Sequence, residues 1–504
     1  MSYDITNIEN AHPEWNNHIN RWRFLSDSYQ GGQAFKDGEY LTKYVLETNG
    51  EYQQRINSTP LDNLCKNICH TYTSFIYGQT IKRDFAGLNE QDVRLFLKDA
   101  DLEGRSFTNM MREISIYSSV YGHVWCVVDK PSTPVNTLAE QQAAGIRPYV
   151  SMFSPENVLD WKYTRMPNGV YQLDMLRIIE DSYGDTQIQK IYYRDRIDTV
   201  QVSNISSNPT SKPSEKDDVV LLQSVVNPLG MIPAFPVYSA RSPIRAIGIS
   251  DVNDIADQQL GIANELSEIE QTIRINGHPS LVKVASTEAT AGAGAIIQMD
   301  DNTDPGLKPY LLQPTAESLE GILSSIKMKV AACERMAHLE TARGTRTAMS
   351  GVAMLVESRM LSQRLSEKSS NLEHAEEQLW GLFGRWQDTQ WLGEVEYPTS
   401  FDQRDTAVTL QNIKTAKESN PTNPKLIKAI DRLIAEVLIE DDAERAEVLE
   451  AEMEHPVTTP ANRTEHIQSM IMEGYTDEQM LALHPEITQE DIQVAKQALV
   501  DQDN

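Results

Sequence analysis

Cysteine is scarce in this 504-residue chain: Cys65, Cys69, Cys126 and Cys333 are the full set, and no two form a CxxC pair. That usage excludes a zinc ribbon or a disulfide framework and suits a reducing compartment. Cys65 and Cys69 lie one helical turn apart with His70 beside them, which outlines a metal site. Two sulfurs without two further ligands are, however, ordinarily core packing. Long apolar runs are missing too. No stretch of eighteen apolar residues occurs, and Met1-Ser2-Tyr3-Asp4 has no basic segment followed by an apolar one, so neither a membrane span nor a secretory signal is expected. Basic residues are the third shortage: 45 Lys and Arg stand against 73 Asp and Glu, a net charge of −28. Affinity for nucleic acid comes largely from neutralising phosphates. A chain this acidic can handle DNA only by letting it slide past and touching it at a few basic points. Phosphate loops, GxGxxG turns, HExxH and GxSxG are absent, and the ten histidines are scattered without ligand spacing. No enzyme, metal or cofactor is therefore expected.

What is present is a soluble composition, 40% hydrophobic and 23% charged, over a length that holds several domains. Residues 1–58 are polar but rich in aromatics (Trp15, Trp22, Phe24, Tyr29, Phe35, Tyr40, Tyr44, Tyr52) and read as an extended arm with short helices that packs onto other parts of the chain or onto a neighbour. Ser58-Thr59-Pro60 reads as a helix start with proline at the tolerated first position. Its apolar face would be Leu61, Leu64, Cys65, Ile68, Tyr72 and Ile76. A second helix runs from about Ser106 to Tyr121 and stops at Gly122. Strand-like segments follow at 123–128, 148–153, 171–176, 188–193 and 219–225, the marks of an antiparallel sheet in an α+β domain. Ser203–Lys216, rich in Ser, Asn and Pro, reads as a loop.

Two helices then flank a small insertion. The first is expected over Pro243–Ile275, and its polar positions are acidic: Asp251, Asp254, Asp257, Glu265, Glu268 and Glu270 against Arg245 and Arg274. Such a face is either simply solvated or a wall that repels phosphate. The insertion, Gly277–Pro314, carries strand-like 279–284 and 296–299. Asp300–Gly306 imitates a calcium loop, but its glycine falls one place late and Leu311 replaces the glutamate, so a tight turn is expected. The second helix is expected over Thr315–Ala342. A basic break, Arg343-Gly344-Thr345-Arg346-Thr347-Ala348-Met349-Ser350-Gly351, separates it from a very long helix over Val352–Leu392. Leu361, Leu365, Leu372, Ala375, Leu379, Leu382 and Trp386 recur there at three- and four-residue steps, the seam of a packed helix. Helices continue beyond Tyr397-Pro398-Thr399-Ser400, with an acidic run from Asp431 to Glu454. The last forty residues read as short helices starting near Thr464, Thr476 and Thr488.

This order of elements resembles the portal proteins of tailed bacteriophages. The small-residue start Ser350-Gly351-Val352-Ala353-Met354 is similar to the head of the long wing helix in that family. His12-Pro13, Trp22, Asp27 with Gly31-Gly32, Lys36, Tyr40-Leu41, Tyr52 and Arg55 resemble a portal N-terminal pattern. The resemblance spans roughly residues 12–400 and implies an α+β, mainly α fold. Its parts would be a wing (1–242), first stem helix (243–275), clip (276–314), second stem helix (315–342), tunnel loop (343–351), long wing helix (352–400) and helical crown (401–504). It also implies a homo-oligomeric ring of twelve subunits at one capsid vertex, through which double-stranded DNA passes during packaging and ejection. The partners implied are major capsid and scaffold proteins, the terminase large subunit and head-completion adaptor or tail proteins. The location would be the virion, with host cytoplasm during assembly. On this reading Asp251, Asp254, Asp257, Glu265 and Glu268 are candidates for an acidic channel lining. Arg343, Thr345, Arg346 and Thr347 are candidates to face DNA, and Gly344, Ser350 and Gly351 are hinge candidates. The alternative for the two arginines is pairing with acidic residues of an adjacent subunit. Two other readings stay open: a non-viral helical scaffold or adaptor, and a hydrolase seated in residues 123–240.

Overall fold

The computed structural model describes residues 11–131, 145–203, 218–277, 280–282, 310–312, 316–339, 351–401 and 488–502, with a few positions between 467 and 477. The chain divides into two units after Asp402. The first is α+β and mainly helical, built on one hydrophobic core that joins N-terminal helices, two antiparallel sheets and a long helix.

Residues 13–58 hold three helices joined by a loop at 38–48, and they pack onto the rest of the chain as part of that core. Helix α1 (Pro13–Gln30) has proline in its first turn, where no backbone donor is needed, and the His12 imidazole accepts from the Glu14 N–H at 3.1 Å. Trp15, Ile19, Trp22 and Leu25 recur every three or four residues and are buried. Helices α2 (Gly32–Asp37) and α3 (Asn49–Ser58) follow. Helix α4 spans Leu64–Tyr77 and starts later than Ser58-Thr59-Pro60 suggests. Thr59 is still tied to the preceding helix through its N–H on the Arg55 carbonyl, and Asn63 supplies the cap, accepting from the Lys66 N–H at 2.8 Å. Cys65 and Cys69 are fully buried on its inner face, and burial pushes the Cys65 thiol up to about 12. Both are packing residues. After α5 (Glu90–Lys98), α6 (Phe107–Tyr121) is capped by Ser106 and ends at Gly122 with φ 89°. A Cβ at Gly122 would lie 2.6 Å from the Gly248 backbone, so only glycine fits.

Strands β2 (His123–Asp129), β3 (Tyr149–Phe153) and β9 (Ala234–Tyr238) form a sheet in the order β3-β2-β9. Strands β4 (Val158–Arg165), β5 (Tyr171–Tyr183), β6 (Thr186–Tyr193), β7 (Arg196–Ser203) and β8 (Asp218–Val226) form a second sheet, a meander in chain order. Residues 204–217 lie outside the described residues.

The first helix of the flanking pair, α7, spans Asn253–Gly277 and begins ten residues later than its apolar pattern suggests. Residues 240–249 instead make a tight hairpin, β10 (Ala240–Arg241) on β11 (Gly248–Ile249), with Ala246 at φ 63°. At the far end of α7, β12 (Ser280–Val282) pairs antiparallel with β13 (Tyr310–Leu312). Residues 296–306 lie outside the described residues. Helix α8 (Ala316–Met336) then packs back along α7. It stops six residues short of Ala342. His338 takes φ 54°, its N–H bonds the Arg335 carbonyl at 3.1 Å, and Leu339 N–H bonds the Glu334 carbonyl at 2.9 Å. This is a Schellman stop made without glycine. Helix α9 (Gly351–Trp386), 36 residues or about 54 Å long, ends the same way at Asp388 (φ 54°), so it does not reach Leu392. Strand β14 (Val395–Glu396) closes on β1 (Lys82–Arg83).

In the second unit, helix α10 (Gln489–Gln502) starts at Thr488, whose hydroxyl accepts from the Asp491 N–H at 3.3 Å. Ile492 and Ala495 pack with Ile467 and Met470. Thr464 and the acidic run 431–454 lie outside the described residues.

Candidate functional site: the helical hairpin and its seat on the long helix

The seam of α9 forms as the spacing predicts: Leu361, Leu365, Leu372, Ala375, Leu379 and Leu382 are buried, and Trp386 is half-buried. Two charged residues occupy seam positions among them. Lys368 falls between Leu365 and Leu372, and Glu376 between Leu372 and Leu379; they are 3% and 0% exposed. A charge at a core position needs a buried partner, and each of these has one.

Lys368 meets Asp251, which lies in the turn leading into α7. Its ammonium donates to Asp251 Oδ2 at 3.1 Å, to Ser239 Oγ at 3.1 Å and to Ser119 Oγ. Arg364, one turn earlier on α9, donates to Asp251 Oδ1 at 2.8 Å, and the Ser239 hydroxyl donates to Oδ2 at 2.7 Å. Asp251 N–H reaches the Ser119 carbonyl at 3.0 Å. Burial alone would raise the Asp251 carboxyl, but Lys368 and Arg364 outweigh it and hold it below the usual carboxylate range. The end of α6, strand β9, the start of α7 and the middle of α9 are thus tied at one ionic point.

Glu376 forms the second tie. Arg83 on β1 donates to Oε1 at 2.5 Å and to Oε2 at 3.1 Å, Tyr397 OH donates to Oε2 at 2.7 Å, and Trp380 Nε1–H donates to Oε1 at 3.1 Å. Aromatic rings of Phe96, Phe107, Trp380 and Phe383 pack edge to face or tilted beside it. Two opposite-sign buried pairs along one helix fix its register, because a slip by one turn would leave both charges unpaired.

From this seat α7 and α8 run as a hairpin. Asp251, expected to line a channel, does not: it is buried against Lys368 and Arg364, and its charge is consumed inside the chain. Of the other acidic candidates, Asp254 is exposed and Asp257 pairs with Arg21 at 2.7 Å. Glu265 is half-buried and meets Lys329 of α8 at 2.5 Å, and Glu268 accepts from the Tyr44 hydroxyl. The structure therefore gathers Asp254, Asp257, Glu265 and Glu268 along α7 and removes Asp251 from the set. Arg343, Gly344, Thr345, Arg346, Thr347 and Ser350 lie outside the described residues, and Gly351 is the first residue of α9.

Sequence reasoning missed Arg364, Lys368, Glu376 and Arg83. The signal was there for two of them: a lysine and a glutamate interrupting an otherwise apolar seam. Among the described residues no group of three His, Cys, Asp or Glu could hold a metal ion, and no helix is long and apolar enough to cross a membrane.

No protein-family model matches the sequence, and no curated protein matches it. Among solved structures the chain is similar to one in the "Virion of native gene transfer agent (GTA) particle", at 9% identity, TM-score 0.37, covering 71% of this chain and 85% of that one. It is likewise similar to a chain in the "Neck of empty GTA particle computed with C6 symmetry", at 11% identity, TM-score 0.35, covering 71% of this chain and 84% of that one.

Proposed function

We propose that this chain is the subunit of a portal ring, the channel through which a double-stranded genome enters and leaves a capsid of the tailed-phage type. One observation carries the reading. Helix α8 packs chiefly on α7, and much of the remaining surface of the hairpin finds no cover among the described residues: Ile273, Leu323, Met328 and Met336 are 54%, 45%, 65% and 41% exposed. Soluble monomers seldom leave so many large apolar side chains uncovered along one element. Repetition of the hairpin around an axis covers them, with each α8 against the next α7.

Charge fits the same arrangement. Asp254, Asp257 and Glu268 lie along α7, whereas Lys327 stands exposed on α8 beside Leu323 and Met328. A head-to-tail contact between unlike faces closes into a ring when its rotation divides a full turn. An acidic inner wall would let DNA slide, and Arg343 and Arg346 would be its few basic contacts. On this reading the protein performs no chemistry of its own. Terminase, capsid, scaffold and head-completion proteins would be the partners, the ring would sit in the virion at one vertex, and it would assemble in the host cytoplasm.

Negative-stain imaging of the purified chain tests the reading: rings with a central hole support it, and filaments or solid irregular particles contradict it. Replacing Arg343 and Arg346 with alanine tests the DNA contacts; packaging and DNA retention unchanged in that variant would remove them from the account.

A further inference from the structure

The loop between Leu41 and α3 presents two aliphatic side chains with almost no cover: Val45 is 100% exposed and Leu46 is 95% exposed. Loose loops often do this, but this loop is heavily tied. Arg55 Nε and Nη2 donate to the two Glu47 carboxylate oxygens at 2.8 Å, with the paired side chains only 2% and 5% exposed. Arg55 also donates to the Thr42 carbonyl at 2.6 Å and to Ser267 Oγ on α7 at 3.1 Å, and its guanidinium lies 4.3 Å from the Tyr44 ring centre. Thr42 N–H donates to Asn264 Oδ1 at 2.9 Å, and the Thr48–Glu51 capping box locks the start of α3. The chain invests a buried ion pair in holding two aliphatics out in water. Such a display returns free energy only when a partner covers it.

The same chain carries a hollow of matching chemistry. Phe35, Leu41, Ile56, Pro60, Leu61 and Ala263 line most of a cavity of about 220 Å³, with Lys36, Tyr40 and Thr59 as its polar members. A cavity of about 150 Å³ lined by such groups accepts a benzene-sized apolar body, so this one has room for a leucine with part of a valine. Charge is complementary as well. Asp37, Glu39 and Asp62, all exposed, flank the lining residues in sequence, while Lys36 donates its ammonium to the Asn57 carbonyl. The exposed charge on the loop is Lys43, since Glu47 is neutralised by Arg55. Val45 and Leu46 are uncovered in their own chain, so the hollow they fit belongs to another molecule.

We propose that Val45 and Leu46 seat in the Phe35–Leu41–Ile56–Leu61 hollow of a second copy of this chain, with Lys43 against its acidic rim. The proposal rests on the ring reading above and names one of its subunit contacts. A mixture of two full-length variants tests it: tagged Leu46→Cys and untagged Leu61→Cys, oxidised after assembly. All four native cysteines are buried, so they contribute little background. The expected result is a covalent dimer carrying both variants, absent when either is oxidised alone. A second measurement guards against a disturbed hollow. Because Val45 and Leu46 are almost wholly exposed, Val45→Ser with Leu46→Ser leaves folding intact and weakens self-association at least tenfold, and Val45→Ile with Leu46→Met retains it. Assembled particles with no cross-link, or unchanged association in the serine variant, overturn this contact alone. A wild-type chain that stays monomeric at every concentration, also when a scaffold protein is supplied, overturns the ring and the contact together.

Discussion

Asp251→Ala is the substitution that most sharply tests how the hairpin is held. It removes the carboxylate that accepts from Lys368, Arg364 and Ser239. The two cations do not suffer equally. Arg364 is 33% exposed and can turn to water, so its loss is small. Lys368 is 3% exposed and cannot. Breaking a buried pair from one side costs roughly 3–5 kcal/mol, because the remaining charge stays buried without compensation. Ser119 and Ser239 still accept from the ammonium, which places the expected cost near 3 kcal/mol. Lys368→Met alone leaves Asp251 with Arg364 and costs less. Asp251→Ala combined with Lys368→Met removes both charges and should recover at least about 2 kcal/mol relative to the sum of the single changes, the coupling of a double-mutant cycle. All seven tryptophans precede Asp402, so urea unfolding followed by tryptophan fluorescence reports on the first unit of the intact chain. A cost below about 1 kcal/mol for Asp251→Ala, or a coupling near zero, would refute the claim that this ion pair seats α9.

Four further outcomes are expected. His123 is fully buried, its Nδ1 accepts from the Gly248 N–H at 3.3 Å, and burial, with a smaller push from His18, lowers its pKa to about 3. A depressed folded pKa means that its contribution is complete above about 6.5 and is lost as pH falls toward 3, up to about 5 kcal/mol at the acid limit; stability measured against pH should fall across that window, and His123→Asn should flatten the fall. Asp251, held below the usual carboxylate range, adds its loss only below about 4, as pH falls through its folded pKa. Glu376→Ala strands Arg83, which is 15% exposed at its side chain, and should cost roughly 3 kcal/mol in the same fluorescence assay, whereas exposed Asp388→Gly should stabilise the end of α9 by about 1 kcal/mol by removing left-handed strain.

Much of the fold was legible where the local chemistry is self-contained. Ser106 and Gly122 bracket α6, the seam of α9 packs as its spacing predicts, and Asp254, Asp257, Glu265 and Glu268 lie along α7. What escaped the sequence depended on distant partners. His338 and Asp388 end their helices in a conformation that usually selects glycine, so no letter in the sequence marked either stop. Residues 243–249 share the apolar content of α7 but fold into a hairpin, because the close approach of Gly248 to Gly122 draws that backbone onto the sheet. Strands β4, β7 and β9 lay in segments whose apolar alternation is weak, and their neighbours in the sheets decide them. The partners of the N-terminal aromatics could not be named, because they come from elsewhere in the chain: Trp161 for His12, His123 for Trp22 and Tyr117 for Tyr29. Asp251 illustrates the same limit at the candidate site. As one acidic residue among several it resembled its neighbours, and only Lys368, more than a hundred residues away, sets it apart.

The claim that this chain closes into a ring is tested most directly by its mass in solution. Light scattering on the purified protein should give a single species near twelve times the 56.8 kDa chain, unchanged on dilution over a wide range. A species that stays at one or two chain masses, also when the scaffold partner is supplied, would contradict the account.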